Sequence, residues 1–224
     1  EYTATFKETY KEYRVIFQDE DGTELSKATY HYGETVTAPA NPSKAATAEY
    51  TYEFAGWDQE ITTVAGDVTY KATYTATKNK YTITFENYDG TVLYSTEVEY
   101  GSMPSYVGDT PTKAGDAENT YTFTGWSPAL TNVTGEATYT AEYTTATNVY
   151  TVTFKNHDGS VLATETVEYG EVPEYTGETP TKAEDNTYTY SFNGWDKELT
   201  AVTENTEYTA TFKETYKEYR VIFQ

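Results

Sequence analysis

Apolar and polar side chains alternate along short stretches of this chain. Residues 81–85 read Tyr-Thr-Ile-Thr-Phe, and residues 92–100 alternate in the same way. A period of two is typical of a β-strand with one buried face. The Asp89-Gly90 pair between the two stretches predicts a hairpin, because glycine accepts the positive φ that a tight turn needs.

A stretch rich in proline and glycine follows this hairpin. Residues 102–118 contain two prolines and two glycines, which favours a crossing loop with at most one helical turn. Two further strands are predicted, at residues 120–126 and 137–144. The predicted unit therefore has four strands and one crossing loop.

The whole plan occurs three times. The pair Gly-Trp recurs at a step of 69 residues, as Gly56-Trp57, Gly125-Trp126 and Gly194-Trp195. Solenoid repeats are shorter, at roughly 20 to 50 residues, and about 70 residues is near the lower limit for an independent core. We therefore predict repeat modules at residues 13–80, 81–149 and 150–218, each closing its own core.

The two ends of the chain share one sequence. Residues 1–18 recur letter for letter at 207–224. We interpret residues 1–12 as the C-terminal strand of a preceding repeat and residues 219–224 as the start of a following one, within a longer array. Duplication of this junction alone is the alternative.

Short joints are predicted between the modules. Six residues without glycine or proline separate the predicted strands at each joint, namely 75–80, 144–149 and 213–218. Such a joint is extended and less flexible than a Gly/Ser linker. We expect a monomeric chain in the form of an elongated rod.

Composition supports a mostly β fold, in the class of small α+β modules. The chain has 25 Tyr, 9 Phe and 3 Trp, residues that suit a half-buried pleated surface. There is no cysteine, which excludes disulfides and thiolate metal sites.

The net charge of the chain disfavours two classes of binding partner. The formal net charge is −21, which disfavours binding to nucleic acid and to anionic membrane surfaces. Acidity also keeps a repetitive β protein soluble and discourages pairing between sheet edges. No apolar run approaches the roughly 18 residues of a membrane span, so we expect no membrane insertion of this segment.

Several recurring motifs resemble the Listeria–Bacteroides repeat, also called the internalin B-repeat family. They are Tyr-x-x-x-Phe-x-x-x-Asp-Gly, Tyr-Gly, Pro-Thr-Lys, Phe-x-Gly-Trp and Thr-Tyr-Thr-Ala-x-Tyr, over residues 13–218. The resemblance implies small β-grasp-like modules in tandem, on an extracellular bacterial surface protein attached to the cell wall through other parts. It transfers no catalytic residue, and the first copy departs from the motifs at residues 41–44 and 70–74.

Tyr106 and Tyr175 are the candidate ligand-binding residues. They lie in the crossing loops of the second and third copies beside carboxylates, and the first copy has no tyrosine there. An exposed aromatic of this kind suits a carbohydrate or peptide. The alternative is a tyrosine folded back as a lid over the core.

Other recurring residues have a structural interpretation that we favour. Trp57, Trp126 and Trp195 suit core packing better than sugar stacking, and Asp19, Glu20 and Asp21 suit a turn better than a cation site. His31 and His157 stand at non-equivalent positions. An isopeptide bond from Lys44, Lys113 or Lys182 would need a buried apolar site, which a Pro-x-Lys loop does not favour.

The function expected from these features is a spacer. No nucleophile elbow, phosphate loop or dinucleotide motif is present, so no enzyme, cofactor or metal is implied. We predict a structural stalk that projects a terminal domain. The alternative is a multivalent adhesin that binds a host or neighbouring-cell glycan or protein through weak contacts in each module.

Overall fold

The computed structural model describes residues 1–222, and strands are the only regular elements there. No helix occurs in that range, and so none that is long and apolar enough to cross a membrane. The strands are β1 (Glu12–Gln18), β2 (Glu24–His31), β3 (Tyr50–Trp57), β4 (Val68–Lys78), β5 (Lys80–Glu86), β6 (Val92–Glu99), β7 (Asn119–Ser127), β8 (Ala137–Thr147), β9 (Val149–Lys155), β10 (Val161–Glu168), β11 (Tyr188–Trp195) and β12 (Thr206–Tyr216).

These strands form three four-stranded sheets with one topology. The spatial orders are β2-β1-β4-β3, β6-β5-β8-β7 and β10-β9-β12-β11. In the first sheet β1 pairs antiparallel with β2 and parallel with β4, and β3 pairs antiparallel with β4. The predicted mostly β fold in tandem modules is confirmed, and its crossing loops contain no helical turn within residues 1–222.

Asp-Gly turns close the first hairpin of each module. Gly22 has φ +89°, and its N–H donates to the Asp19 carbonyl at 3.0 Å. The Thr23 N–H donates to Asp21 Oδ1 at 2.9 Å. Gly90 and Gly159 have φ values of 82° and 84° in the same place, so the glycine is required by the turn, as predicted.

The last strand of a module pairs with two other strands, one after the other along its length. Residues 68–71 of β4 pair with β1, and residues 72–78 pair with β3. The register between β3 and β4 shifts next to Gly56, whose φ is 129°. The strand therefore has to be 11 residues long, three more than β3.

Each core lies on one face of its sheet. In the first module, Val15, Phe17 and Tyr70 from the strands meet Val36 and Val64 from the connections. The third module repeats the arrangement with Val152, Phe154, Val202 and Tyr208. The alternate strand residues, many of them threonine, face solvent, which explains the period-two pattern of the sequence.

The chain divides into two compact units. One comprises residues 1–86, 92–108 and 128–139, and the other comprises 87–91, 109–127 and the chain from 140 onward. The core cluster of the first module lies in the former, and that of the third module lies in the latter.

The joints and the N-terminal segment differ from expectation. Strands continue through most of the predicted six-residue joints, so that only Asn79 separates β4 from β5 and only Asn148 separates β8 from β9. Of residues 1–12, interpreted as the C-terminal strand of a preceding repeat, residues 1–11 form no strand and Glu12 begins β1, although the sequence of residues 1–10 recurs at 207–216 within β12.

Candidate functional site

Tyr175 lies over the core of the third module. Its half-buried ring is 5.1 Å from the ring of Phe154 and 5.0 Å from that of Trp195, centroid to centroid. Its hydroxyl donates to the Glu178 carbonyl at 2.9 Å. One face of the ring therefore contacts core aromatics, and the hydroxyl is held by its own loop.

Tyr106 has a similar environment in the second module. Its ring centroid is 5.6 Å from that of Phe85 and 6.2 Å from that of Tyr94. A Cβ atom built on Gly108 would lie 2.6 Å from the Tyr106 hydroxyl, and one on Gly177 would collide with the Tyr175 hydroxyl in the same way. A glycine two residues after each tyrosine lets the ring fold back on its loop.

A groove of about 340 Å³ runs beside Tyr175. Its wall includes aromatic, amide, hydroxyl and carboxylate groups, a mixture that can contact a sugar ring. Two of its polar groups are already bonded within the protein, because Asn156 Nδ2 donates to the Thr181 carbonyl at 3.0 Å and the Tyr175 hydroxyl is held by Glu178. The binding role of Tyr106 and Tyr175 stays a prediction.

The three tryptophans contact core aromatic rings. Trp57 lies 4.7 Å from Phe17 and 5.3 Å from Phe54. Trp195 has the same relation to Phe154 and Phe192, at 4.7 and 5.4 Å. Such edge-on and tilted contacts stabilise aromatic cores, so packing accounts for the recurring Gly-Trp pair.

The recurring lysines lie over tyrosine rings. Lys113 Nζ is 3.7 Å from the ring centroid of Tyr121, and Lys182 Nζ is 3.7 Å from that of Tyr190. Lys44 is 4.1 Å from the ring of Tyr52 and also pairs with Glu20, which raises its pKa. Cation–π contact is thus a shared property of the Pro-x-Lys motif.

The acidic turn at residues 19–21 bonds to protein donors. Asp19 Oδ1 accepts from the Tyr74 hydroxyl at 2.7 Å and from the Glu20 N–H at 2.8 Å. Burial and the Asp19 carboxylate raise the pKa of Tyr74 to about 12. Among residues 1–222, no three His, Cys, Asp or Glu side chains stand close enough to hold a metal ion.

A second carboxylate–tyrosine pair lies in the turn before β11. The Tyr190 hydroxyl donates to Asp185 Oδ2 at 2.6 Å. This bond, with backbone bonds from Thr187 and Tyr188, lowers the pKa of Asp185 to about 2. The same bond is the main cause that raises the pKa of Tyr190 to about 12.

Each histidine contacts one aromatic ring and one nearby polar side chain, and the ring centroids lie 5.2 Å apart for His31 and Tyr10 and 5.4 Å apart for His157 and Phe212. His31 Nδ1 is 3.1 Å from Glu34 Oε1, whose pKa is lowered mainly by the His31 backbone N–H. His157 Nδ1 is 3.2 Å from Asn156 Oδ1. The two rings stand at non-equivalent positions, as the sequence indicates.

Sequence reasoning missed Asn79 and Asn148. Both side chains donate to backbone carbonyls in the turn before the third strand of their own module. The available signal is Asn-x-Tyr at 79–81 and 148–150, which recurs at the 69-residue step. The strand-like alternation of apolar and polar residues continues across both asparagines, and so this signal was missed.

A known family matches all three modules. The Listeria-Bacteroides repeat domain matches residues 13–80, 81–149 and 150–218.

Two proteins of Evansella cellulosilytica are similar in sequence. One carries the name Gly-rich membrane protein and is 30% identical over 203 residues, covering 84% of this chain and 22% of that protein. The other, named as a membrane protein, is 30% identical over 124 residues, covering 51% of this chain and 17% of that protein. The chain therefore spans less than a quarter of the length of these relatives.

One solved structure is also similar. It holds Streptococcal High Identity Repeats in Tandem (SHIRT) domains 3–4 from a cell surface protein, at 18% identity and a TM-score of 0.33, covering 61% of this chain and 99% of that one.

Proposed function

This chain belongs to the Listeria-Bacteroides repeat family, and we propose that it is a structural stalk or spacer segment of a bacterial cell-surface protein. In this proposal the modules project a terminal functional domain away from the cell. The segment carries out no catalysis and needs no cofactor.

Separate cores are the observation that carries the proposal. The core cluster of the first module uses only residues between 13 and 70, and that of the third uses only residues between 150 and 208. A module that closes its own core can be copied without redesigning the others. Joints of one residue, Asn79 and Asn148, leave little free chain between copies.

The extracellular location rests on the kind of sequence. A net charge of −21 and the absence of cysteine suit a soluble exposed segment. The Evansella relatives carry membrane-protein names and extend far beyond the matched region. We propose attachment to the cell through parts of a longer protein.

Small-angle X-ray scattering of the purified chain tests the stalk. A compact globule of 224 residues has a radius of gyration of about 17 Å. A spacer requires a clearly larger value and an elongated distance distribution. A radius near the globular value, independent of salt, would contradict the proposal.

The alternative function is a multivalent adhesin, favoured by the groove beside Tyr175. Lectin-like binding would use the ring and the polar wall of that groove. We expect binding on a glycan array to fall at least about tenfold in Tyr175→Ala, the usual scale of an aromatic anchor. Gly177→Ala tests the same site by pushing the ring away, with Gly66→Ala as its control, since a Cβ there meets nothing. Absence of saturable glycan binding by the unmodified chain would remove this alternative.

A further inference from the structure

Asn79, the residue between β4 and β5, makes three hydrogen bonds to the turn before β3 in its own module. Its backbone N–H donates to the Glu49 carbonyl at 2.8 Å, and its Nδ2 donates to the Thr47 and Ala48 carbonyls at 2.9 and 3.0 Å. Its own carbonyl accepts from the Tyr100 N–H at 2.9 Å. A single residue therefore connects the turn before β3 with the end of β6.

Tyr81 completes this contact. Its hydroxyl donates to the Ala48 carbonyl at 2.7 Å, beside the bond from Asn79. The three consecutive carbonyls of residues 47–49 thus all accept from residues 79–81, which lead from the first module into the second. We call these three carbonyls, and their equivalents at 116–118 and 185–187, the carbonyl cradle.

Asn148 makes the same contacts at the second joint. Its N–H donates to the Glu118 carbonyl at 2.7 Å, and its Nδ2 donates to the carbonyls of Asp116 and Ala117 at 2.8 and 3.1 Å. The Tyr150 hydroxyl donates to the Ala117 carbonyl at 2.6 Å, and the Asn148 carbonyl accepts from the Tyr169 N–H at 2.9 Å.

Side chains of the turn hold each cradle in shape. The Tyr50 N–H donates to Thr47 Oγ1 at 2.9 Å in the first module. Asp116 Oδ1 accepts from the N–H groups of Glu118 and Asn119 at 2.9 and 2.7 Å in the second. Because these turns point carbonyls the same way, an amide with two N–H groups fits them.

The third cradle meets a lysine. The Lys217 N–H donates to the Thr187 carbonyl at 2.8 Å, and the Tyr219 hydroxyl donates to the Asn186 carbonyl at 2.8 Å. Lys217 Nζ lies 3.0 Å from Glu184 Oε1. The backbone and tyrosine bonds persist, and an ion pair takes the place of the amide.

We propose that the carbonyl cradle is an interaction surface whose partner is the three residues that lead into the next module, 79–81 at the first joint and 148–150 at the second, and that Asn79 and Asn148 are the residues that couple one module to the next. A joint of this kind is specific, because the cradle consists of hydrogen-bond acceptors only. The asparagine amide supplies two N–H donors that reach neighbouring carbonyls. Coupling follows from the chain of bonds that runs from the cradle through Asn79 to Tyr100. The proposal stands whether the segment acts as a spacer or as an adhesin.

Hydrogen exchange on the full chain tests the coupling. In Asn79→Ala and in Asn79→Asp, the backbone amides of residue 79 and of Tyr100 should exchange about tenfold faster. This change is on the scale expected from two lost hydrogen bonds. The amides of Val15 and Tyr169 should stay at their original rates. Asn193→Ala is the matched control, because Asn193 is exposed and alanine stands at the equivalent residue 55.

A charge-pair variant gives the second test. Asn79→Lys combined with Ala46→Glu copies the pair between Lys217 and Glu184 at the first joint. Protection of Tyr100 should return at low salt and fall in about 1 M salt, where ion pairs are screened. The unmodified joint should show no such salt dependence.

Three results would overturn the proposal. If the Tyr100 amide exchanges within twofold of its original rate in both single variants, the Asn79 side chain does not couple the modules. Equal acceleration at Val15 would mean general destabilisation instead of a joint. If Asn79→Ala does not fold, the same measurement is made at Tyr169 in Asn148→Ala, where an unchanged rate refutes the coupling.

Discussion

Single substitutions between the three copies show what one side chain does for a module. Thr73 Oγ1 donates to the Gly56 carbonyl at 2.8 Å, and Thr211 Oγ1 donates to the Gly194 carbonyl at 2.8 Å. Both carbonyls lie where the strand register shifts. The equivalent residue of the middle copy is Glu142, and an ionised carboxylate has no hydrogen to donate.

Replacement of this glutamate should stabilise the protein. Glu142→Thr gives the hydroxyl that the other copies use, and the free energy of unfolding should rise by about 1 kcal/mol, the net worth of one hydrogen bond. Urea denaturation measures the change. Glu142→Val is the control, since it has the branched shape without the hydroxyl, and an equal gain from valine would show that strand propensity is the cause.

At the scale of elements, the turns before β3, β7 and β11 carry much of the local polar structure. Thr47, Asp116 and Asp185 occupy equivalent positions and bond to the following N–H groups. Asp116 and Asp185 also accept from a tyrosine hydroxyl, at 3.4 Å from Tyr121 and at 2.6 Å from Tyr190, and the shorter bond holds the pKa of Asp185 at about 2. The third turn should therefore be the one most sensitive to acid.

Acid titration tests this turn. The pKa of Asp185 is lower in the folded state than the usual 3.8, so its contribution to stability is present above pH 4 and is lost as the pH falls toward 2. In Asp185→Asn, the free energy of unfolding measured by urea denaturation should fall less steeply between pH 5 and pH 2. Glu198→Gln removes an exposed carboxylate without this bond, and an equally flat profile in that variant would contradict the assignment.

At the scale of the whole molecule, one sequence occurs in two structural states. Tyr208 is 2% exposed in β12, and the identical sequence places Tyr2 in full contact with water, at 107% exposure. The strand at 206–216 has β9 and β11 on its two sides, and residues 1–11 have no strand partner. Strand formation here depends on neighbours and not on local propensity.

Two deletions should separate these states. Removal of residues 1–9 should change the free energy of unfolding by less than about 0.5 kcal/mol, since these side chains are exposed. Removal of residues 207–224 takes away Tyr208 and Ala210 and should unfold the third module, seen as loss of the dispersed NMR signals of Val152 and Phe154. Equal effects of the two deletions would show that residues 1–9 also pack.

The strands and their turns were predictable because their causes are local. Alternation of side chains sets the buried face of β5 and β6, and Asp89-Gly90 sets the turn between them by backbone geometry alone. The joints were predicted too long, because Thr75 to Lys78 look like a polar linker in sequence. Their strand structure depends on β3, which precedes them by more than twenty residues.

The sequence by itself determined the repeat, the order of the strands along the chain and the placement of the glycines. Each of these follows from the spacing of residue types or from the φ that a residue allows. Only the tertiary structure decided that Tyr106 and Tyr175 lie on core aromatics, that the lysines lie over tyrosine rings, and that Asn79 and Asn148 each reach three carbonyls of a distant turn. The physical reason is distance along the chain. Asn79 and its cradle are about thirty residues apart, and no local rule states which carbonyls a folded sheet brings to an amide.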